Sequence, residues 1–134
     1  MNDRYLYRAK RKNWRELPKE MWWVEGYLYG IWERRYILWG MTNDVPNMVE
    51  VDPSTICQCT VLKDKNGKLI WENDVVNCFE AECCGKISWN ESEAGFYFDV
   101  LLEDGTYEEE HIYDYADCMM VIGNIFDNPE LLEE

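Results

Sequence analysis

The run Thr55-Ile56-Cys57-Gln58-Cys59-Thr60-Val61-Leu62, continued by Lys63-Asp64-Lys65-Asn66-Gly67-Lys68 and Leu69-Ile70-Trp71, decides the fold class. Ile56, Thr60 and Leu62 share one parity while Cys57, Cys59 and Val61 share the other, the period of a strand. Asn66-Gly67 is the pair that most readily takes positive φ at both central positions of a type I′ turn, so Lys68 to Trp71 should return as the second arm of a hairpin. Working outward, Asn73-Asp74 bends the chain before the β-branched run Val75 to Phe79. Gly85 opens a further strand over Lys86 to Trp89, and Phe96 to Leu102 is the strongest apolar run, long enough for a strand buried on both faces or for one crossing the middle of a barrel. Cys118 to Phe126 reads as a final strand around Gly123 and Asn124, ended by Asp127-Asn128-Pro129.

Upstream, Asp52-Pro53-Ser54 starts a turn. Tyr5 to Tyr7, Trp22 to Tyr29 and Tyr36 to Trp39 supply aromatic and aliphatic strand candidates, the last stopped by Gly40 and the polar run Thr42-Asn43-Asp44. One segment favours a helix. Thr106 with Glu109 forms a capping box, Glu108 to Glu110 would occupy the first turn, and Tyr107, His111, Ile112, Tyr115 and Ala116 follow helical spacing. A hairpin through Asp104-Gly105 is the competing reading. The expectation is therefore one mainly β domain over residues 1–134, with a short helix across 106–117 and a basic N-terminal appendage over residues 1–20.

The chain has 134 residues, 15% of them aromatic, with seven Trp and nine Tyr. That content opposes disorder, and the length excludes a TIM barrel or a two-domain dinucleotide enzyme. The net charge is −14. It opposes approach to nucleic acid or an anionic membrane and favours a basic partner. Yet residues 1–40 carry nine basic and five acidic side chains, a local excess of positive charge. No apolar stretch is long enough to span a membrane, and the N-terminus lacks the pattern of a secretory signal. A cytosolic protein follows, whose six cysteines are thiols rather than a disulfide framework.

No nucleotide-binding or zinc-protease motif is present, and enzyme status is unsupported. Cys57 and Cys59 share a strand face, and His111 and Cys118 would complete a metal set, but Cys-x-Cys and the adjacent Cys83-Cys84 suit zinc poorly. Buried or inert thiols are the favoured reading, with no metal and no cofactor. His111 lacks an adjacent nucleophile motif and reads as structural. Arg4, Arg8, Lys10, Arg11 and Lys12, interleaved with Tyr7 and Trp14, would place cations on phosphates and rings on bases if the segment bound nucleic acid. The favoured reading packs Tyr5 and Tyr7 on the core and leaves the basic groups solvating its edge or paired with the acidic body.

Arg8-Ala9-Lys10-Arg11, Trp23-Val24-Glu25-Gly26, Val51-Asp52-Pro53-Ser54-Thr55, Leu62-Lys63-Asp64-Lys65-Asn66-Gly67-Lys68, Glu72-Asn73-Asp74-Val75-Val76 and the closing segment Val121 to Leu132 together resemble the YopX family, small proteins of bacteriophages and prophages. Ala9, Cys57, Val61 and Asn73 stand where the family pattern has glycine, and Cys59 where it has an aromatic. The resemblance implies a small SH3-like barrel with additional strands, working in the cytoplasm of a bacterial host. It implies structural turns at Asp52, Pro53, Asn66, Gly67, Asn73, Asp74, Gly123, Asn124 and Pro129, and supplies no catalytic mechanism. The expected function is a non-enzymatic interaction or regulatory module docking a basic host or phage protein, with self-association open. Nucleic-acid binding through the N-terminal segment and acidic mimicry of DNA are the alternatives.

Overall fold

The computed structural model describes residues 5–78, 83–102 and 104–132. In chain order the strands are β1 (Tyr7–Lys10), β2 (Trp23–Ile31), β3 (Arg34–Thr42), β4 (Val45–Val51), β5 (Cys57–Lys63), β6 (Leu69–Trp71), β7 (Asp74–Cys78), β8 (Cys83–Asn90), β9 (Gly95–Leu101), β10 (Tyr107–His111) and β11 (Met119–Asn124). The helical pieces between described residues are single 3-10 turns. Hydrogen-bonded neighbours run β4-β3-β2-β1-β5-β6 in one sheet and β10-β9-β8-β7-β11 in the other. The chain divides into two compact units at Cys59/Thr60, inside β5.

In the first unit, β1 lies between β2 and β5, and β2, β3 and β4 follow as a meander. The loop Asn43-Asp44 between β3 and β4 has φ of 53° and 66°, so the two consecutive positive angles of a type I′ turn occur here. Inward residues Ala9, Val24, Ile37 and Val51 form a small core, enlarged by half-buried Tyr7, Leu28, Val49 and Ile56. In the second unit, Ile70, Val76, Cys78, Ile87, Phe98, Ile112 and Met119 lie within a larger cluster of buried side chains. Phe96 to Asp99 are buried within β9, which pairs with both β8 and β10.

The expected barrel is not formed. The first sheet runs from edge strand β4 to edge strand β6 and the second from β10 to β11, and no ladder among the described residues joins the edges of either. Both sheets are open, and an SH3-like description does not apply.

The expected helix across 106–117 is also replaced. The Asp104 Oδ1 accepts from both the amide and the hydroxyl of Thr106, at 2.9 and 2.6 Å, so the hydroxyl that was to cap a helix is engaged in a turn. Gly105 has φ 86°, and Tyr107–His111 returns antiparallel to Tyr97–Leu101. Only the 3-10 turns Ile112–Asp114 and Ala116–Cys118 follow.

The hairpin at Asn66-Gly67 is present between β5 and β6, with different local geometry from the expected type I′. Only Gly67 has positive φ, 80°, and the Gly67 amide donates to Asp64 O at 3.0 Å. Val61 and Asn73, where the family resemblance led us to expect glycine, have positive φ of 72° and 71°. Asn accepts this region readily, whereas a β-branched valine there is strained.

Candidate functional site

The N-terminal basic and aromatic residues form an ordered cluster in the first unit. Lys10, at the end of β1, is 2% exposed, and its amide donates to Thr55 Oγ1 at 2.8 Å. Thr55 Oγ1 in turn donates to Asp52 O at 2.7 Å. Asp52 begins the 3-10 turn Pro53–Thr55, accepting from the Ser54 amide and hydroxyl. Pro53 suits that first helical position because its missing N–H would have no partner there. Burial acts to raise the Asp52 carboxyl, but Ser54, the Trp14 indole N–H and the charge of Arg15 hold it below its usual range.

The Lys10 ammonium lies 3.8 Å from the centroid of Trp14, 4.4 Å from that of Trp22 and 5.6 Å from that of Trp23. Trp14 and Trp22 pack edge to face, 4.8 Å apart. Such a cage stabilises a buried cation through the negative faces of its rings. It also adds apolar mass beside a core of few large side chains.

Other basic residues are engaged nearby. Arg8 stacks over Trp23 at 5.0 Å, the Arg11 guanidinium donates to Met21 O, and Lys12 pairs with Glu50 at 2.9 Å. Tyr7 packs half-buried against the first core. Arg4 lies outside the described residues. The cluster therefore brings Lys10 and Trp14 together, with the ring faces turned onto the protein's own cations.

The opposite face of the meander is less satisfied. Tyr27, Tyr29 and Ile31 of β2 pair with Leu38, Tyr36 and Arg34 of β3, and Met48 of β4 lies opposite Leu38. A groove of about 430 Å³ is lined by Tyr29, Ile31, Leu38, Val45, Pro46 and Met48. Ile31 is shared with a cleft of about 500 Å³ lined by Trp32, Glu33, Arg34 and Tyr36. Trp32, in the two-residue turn joining β2 to β3, is 94% exposed at φ 56°. A bulky residue there combines strain with open apolar area. The sequence reading missed Trp32 because its strand-rich surroundings gave no sign of exposure.

The remaining expected positions serve turns and packing within their own units. Asp64 Oδ1 accepts from the amides of Asn66 and Lys68, both at 2.9 Å, and Oδ2 accepts from Val121 at 3.0 Å. Burial works against its charge, but these amides and the Lys68 cation hold the carboxyl below its usual range. Asp74 accepts from the Trp71 amide at 2.8 Å, and the Asn73 carbonyl accepts from Ile125 at 3.0 Å. Gly123 follows the irregularity in β11. Asn124 accepts from Phe126 and Asp127, and Pro129 begins the last 3-10 turn. Asp64, which ties the Asn66-Gly67 turn to Val121, has a role the sequence reading did not assign.

Among the described residues, no three His, Cys, Asp or Glu side chains are grouped to hold a metal. Cys57 and Cys59 are buried, and the Cys57 thiol donates to Thr55 O at 3.3 Å. His111 lies against the Tyr97 ring, 4.8 Å between centroids, while Cys118 meets Cys78. Asp99 is raised above the usual carboxylate range by burial, opposed by the Ser88 hydroxyl and Lys86. No described helix is long and apolar enough to cross a membrane.

A search of curated proteins finds no match. The family model described as YopX protein matches residues 7–133, which takes in every strand, the caged Lys10 and the turns at Asp52, Asn66, Asn73 and Asn124. The chain belongs to the YopX family.

Proposed function

We propose that the chain is a non-enzymatic protein-interaction module acting in the cytoplasm of a phage-infected bacterium, and that it docks a basic host or phage protein on the outer face of β2–β4. Trp32 carries this reading. An indole 94% exposed on a strained two-residue turn has no packing role to explain it, and large aromatic side chains are the usual anchors of protein interfaces. The groove through Ile31, Leu38 and Met48 continues the apolar area beside it. A net charge of −14 favours a basic partner through long-range steering, while the apolar face supplies short-range contact.

Nucleic-acid binding has less support. Lys10 lies under its own indoles, and Lys12 is paired with Glu50. The test is affinity capture from host lysate with the native chain and the Trp32→Gly variant. Glycine relieves about 1–2 kcal/mol of left-handed strain and adds about 0.5–1 kcal/mol of unfolded-chain entropy, so the variant should be as stable as the native protein or slightly more stable. The expected result is a basic protein retained by the native chain, lost with Trp32→Gly, and captured more slowly as salt rises. Equal capture by the two chains would overturn the reading, as would capture of nucleic acid that depends on Arg11 and Lys12.

A further inference from the structure

We infer that Cys78 and Cys118 are a dithiol that closes to a disulfide in the folded protein, making the junction of β7 and β11 a redox modification site. The two Sγ atoms are 2.9 Å apart across a sequence separation of 40 residues. A bonded pair lies near 2.05 Å, so closure asks for a displacement of about 0.9 Å. Strand register supplies the alignment: Met119 is opposite Cys78, and Cys118 immediately precedes it in the 3-10 turn Ala116–Cys118. The Cys118 thiol also donates to Tyr115 O at 3.1 Å, which fixes its rotamer beside Cys78.

Exposure assigns the order of events. Cys78 is fully buried, whereas Cys118 is half-buried and so the more accessible of the two. The Cys118 thiolate attacks one sulfur of a low-molecular-weight disulfide. That disulfide bond breaks, one thiolate leaves and takes a proton, and a mixed disulfide remains on Cys118. Cys78 then gives up its proton and attacks the Cys118 sulfur, expelling the second thiol. In the balance, two protein thiols are oxidised to one disulfide and the reagent is reduced to two thiols. Cys84 is a poorer competitor, since burial raises its thiol above the ordinary range. In a reducing cytosol such a bond would be transient, as expected of a sensing pair rather than a structural staple.

The full-length protein is treated with oxidised glutathione in native buffer, quenched with an alkylating agent and mapped without reduction. The expected result is a Cys78–Cys118 crosslink as the first pair to form, with a mass loss of two hydrogens reversed by dithiothreitol. Cys78→Ala should accumulate a stable glutathione adduct on Cys118, and Cys118→Ser should lose both adduct and crosslink. If Cys78→Ala does not fold, the native chain and Cys118→Ser decide alone. Earlier closure of another pair, or full alkylation of both cysteines after equilibration with excess oxidised glutathione, would overturn the inference.

Discussion

Replacing Asp64 tests whether one buried carboxylate holds the β5–β6 turn and the start of β11's irregular region together. In Asp64→Ala, the amides of Asn66, Lys68 and Val121 all lose their acceptor. Bonds to a charged acceptor contribute about 1.5–3 kcal/mol each, but the three do not simply add. Asn66 and Lys68 are exposed, so their amides turn to water and each loss costs about 0.5–1 kcal/mol. Val121 is half-buried, and its unpaired amide costs about 2 kcal/mol. The expected destabilisation is thus about 3–4 kcal/mol, a large share of an ordinary domain's stability. Asp64→Asn keeps an oxygen for the two turn amides but directs an NH₂ group at Val121, which leaves a cost of about 2 kcal/mol.

The pH dependence separates charge from shape. The folded carboxyl sits below its usual value, so its stabilisation is present above the unfolded value and is lost as pH falls through the folded one. The gap between native protein and Asp64→Asn should therefore be widest near neutral pH and narrow in acid. Urea denaturation followed by circular dichroism, at a series of pH values, measures both effects. An asparagine variant within about 0.5 kcal/mol of the native chain at neutral pH, or a gap that does not change with pH, would refute the argument.

Gly67→Val should cost about 1–3 kcal/mol through its φ of 80° alone, because a Cβ there meets no atom within 4 Å; Gly67→Asn should recover most of the loss, and equal urea midpoints for all three chains would show the turn tolerates any residue. Val61→Gly is expected to stabilise by about 1 kcal/mol, since strain at φ 72° is removed from a side chain 48% exposed; a lower melting temperature would show that its packing outweighs the strain. Lys10→Ala should destabilise by about 2–4 kcal/mol and shift tryptophan emission, because truncation empties the space among Trp14, Trp22 and Trp23, with Lys10→Met recovering much of the loss. A neutral alanine variant in urea would place the lysine outside the packed cluster.

Local chemistry was the legible part of the sequence. Alternation from Cys57 to Leu62 and the break at Asn66-Gly67 marked a real hairpin, because both signals act within a few residues. The error at 106–117 came from a segment with two compatible local patterns. Thr106 and Glu109 match a capping box, but Asp104 reaches the Thr106 amide and hydroxyl first, and the acids Glu108 to Glu110 show no polar–apolar alternation to announce a strand. Barrel closure depends on whether the edge strands of a sheet meet in a ladder, a non-local matter that spacing does not encode. The candidate site was half visible. Lys10 and Trp14 stood out by type, but the burial of Lys10 beneath the Trp14 ring did not, since a basic run ordinarily solvates its charges.

The short approach of Arg11 and Lys12 to the end of β4 bears on how an apolar meander escapes runaway self-assembly. An outer strand with unpaired amides and carbonyls is a template for adding strands from other molecules. Here the Lys12 amide donates to Glu50 O at 3.0 Å and Arg11 bridges Val51, which occupies one end of the β4 edge. At the other end Pro46 has no amide hydrogen to offer. The length of edge left to recruit a foreign strand is only the middle of β4, too short for a stable ladder. The face of the meander can thus remain sticky toward side chains while its rim resists fibre growth.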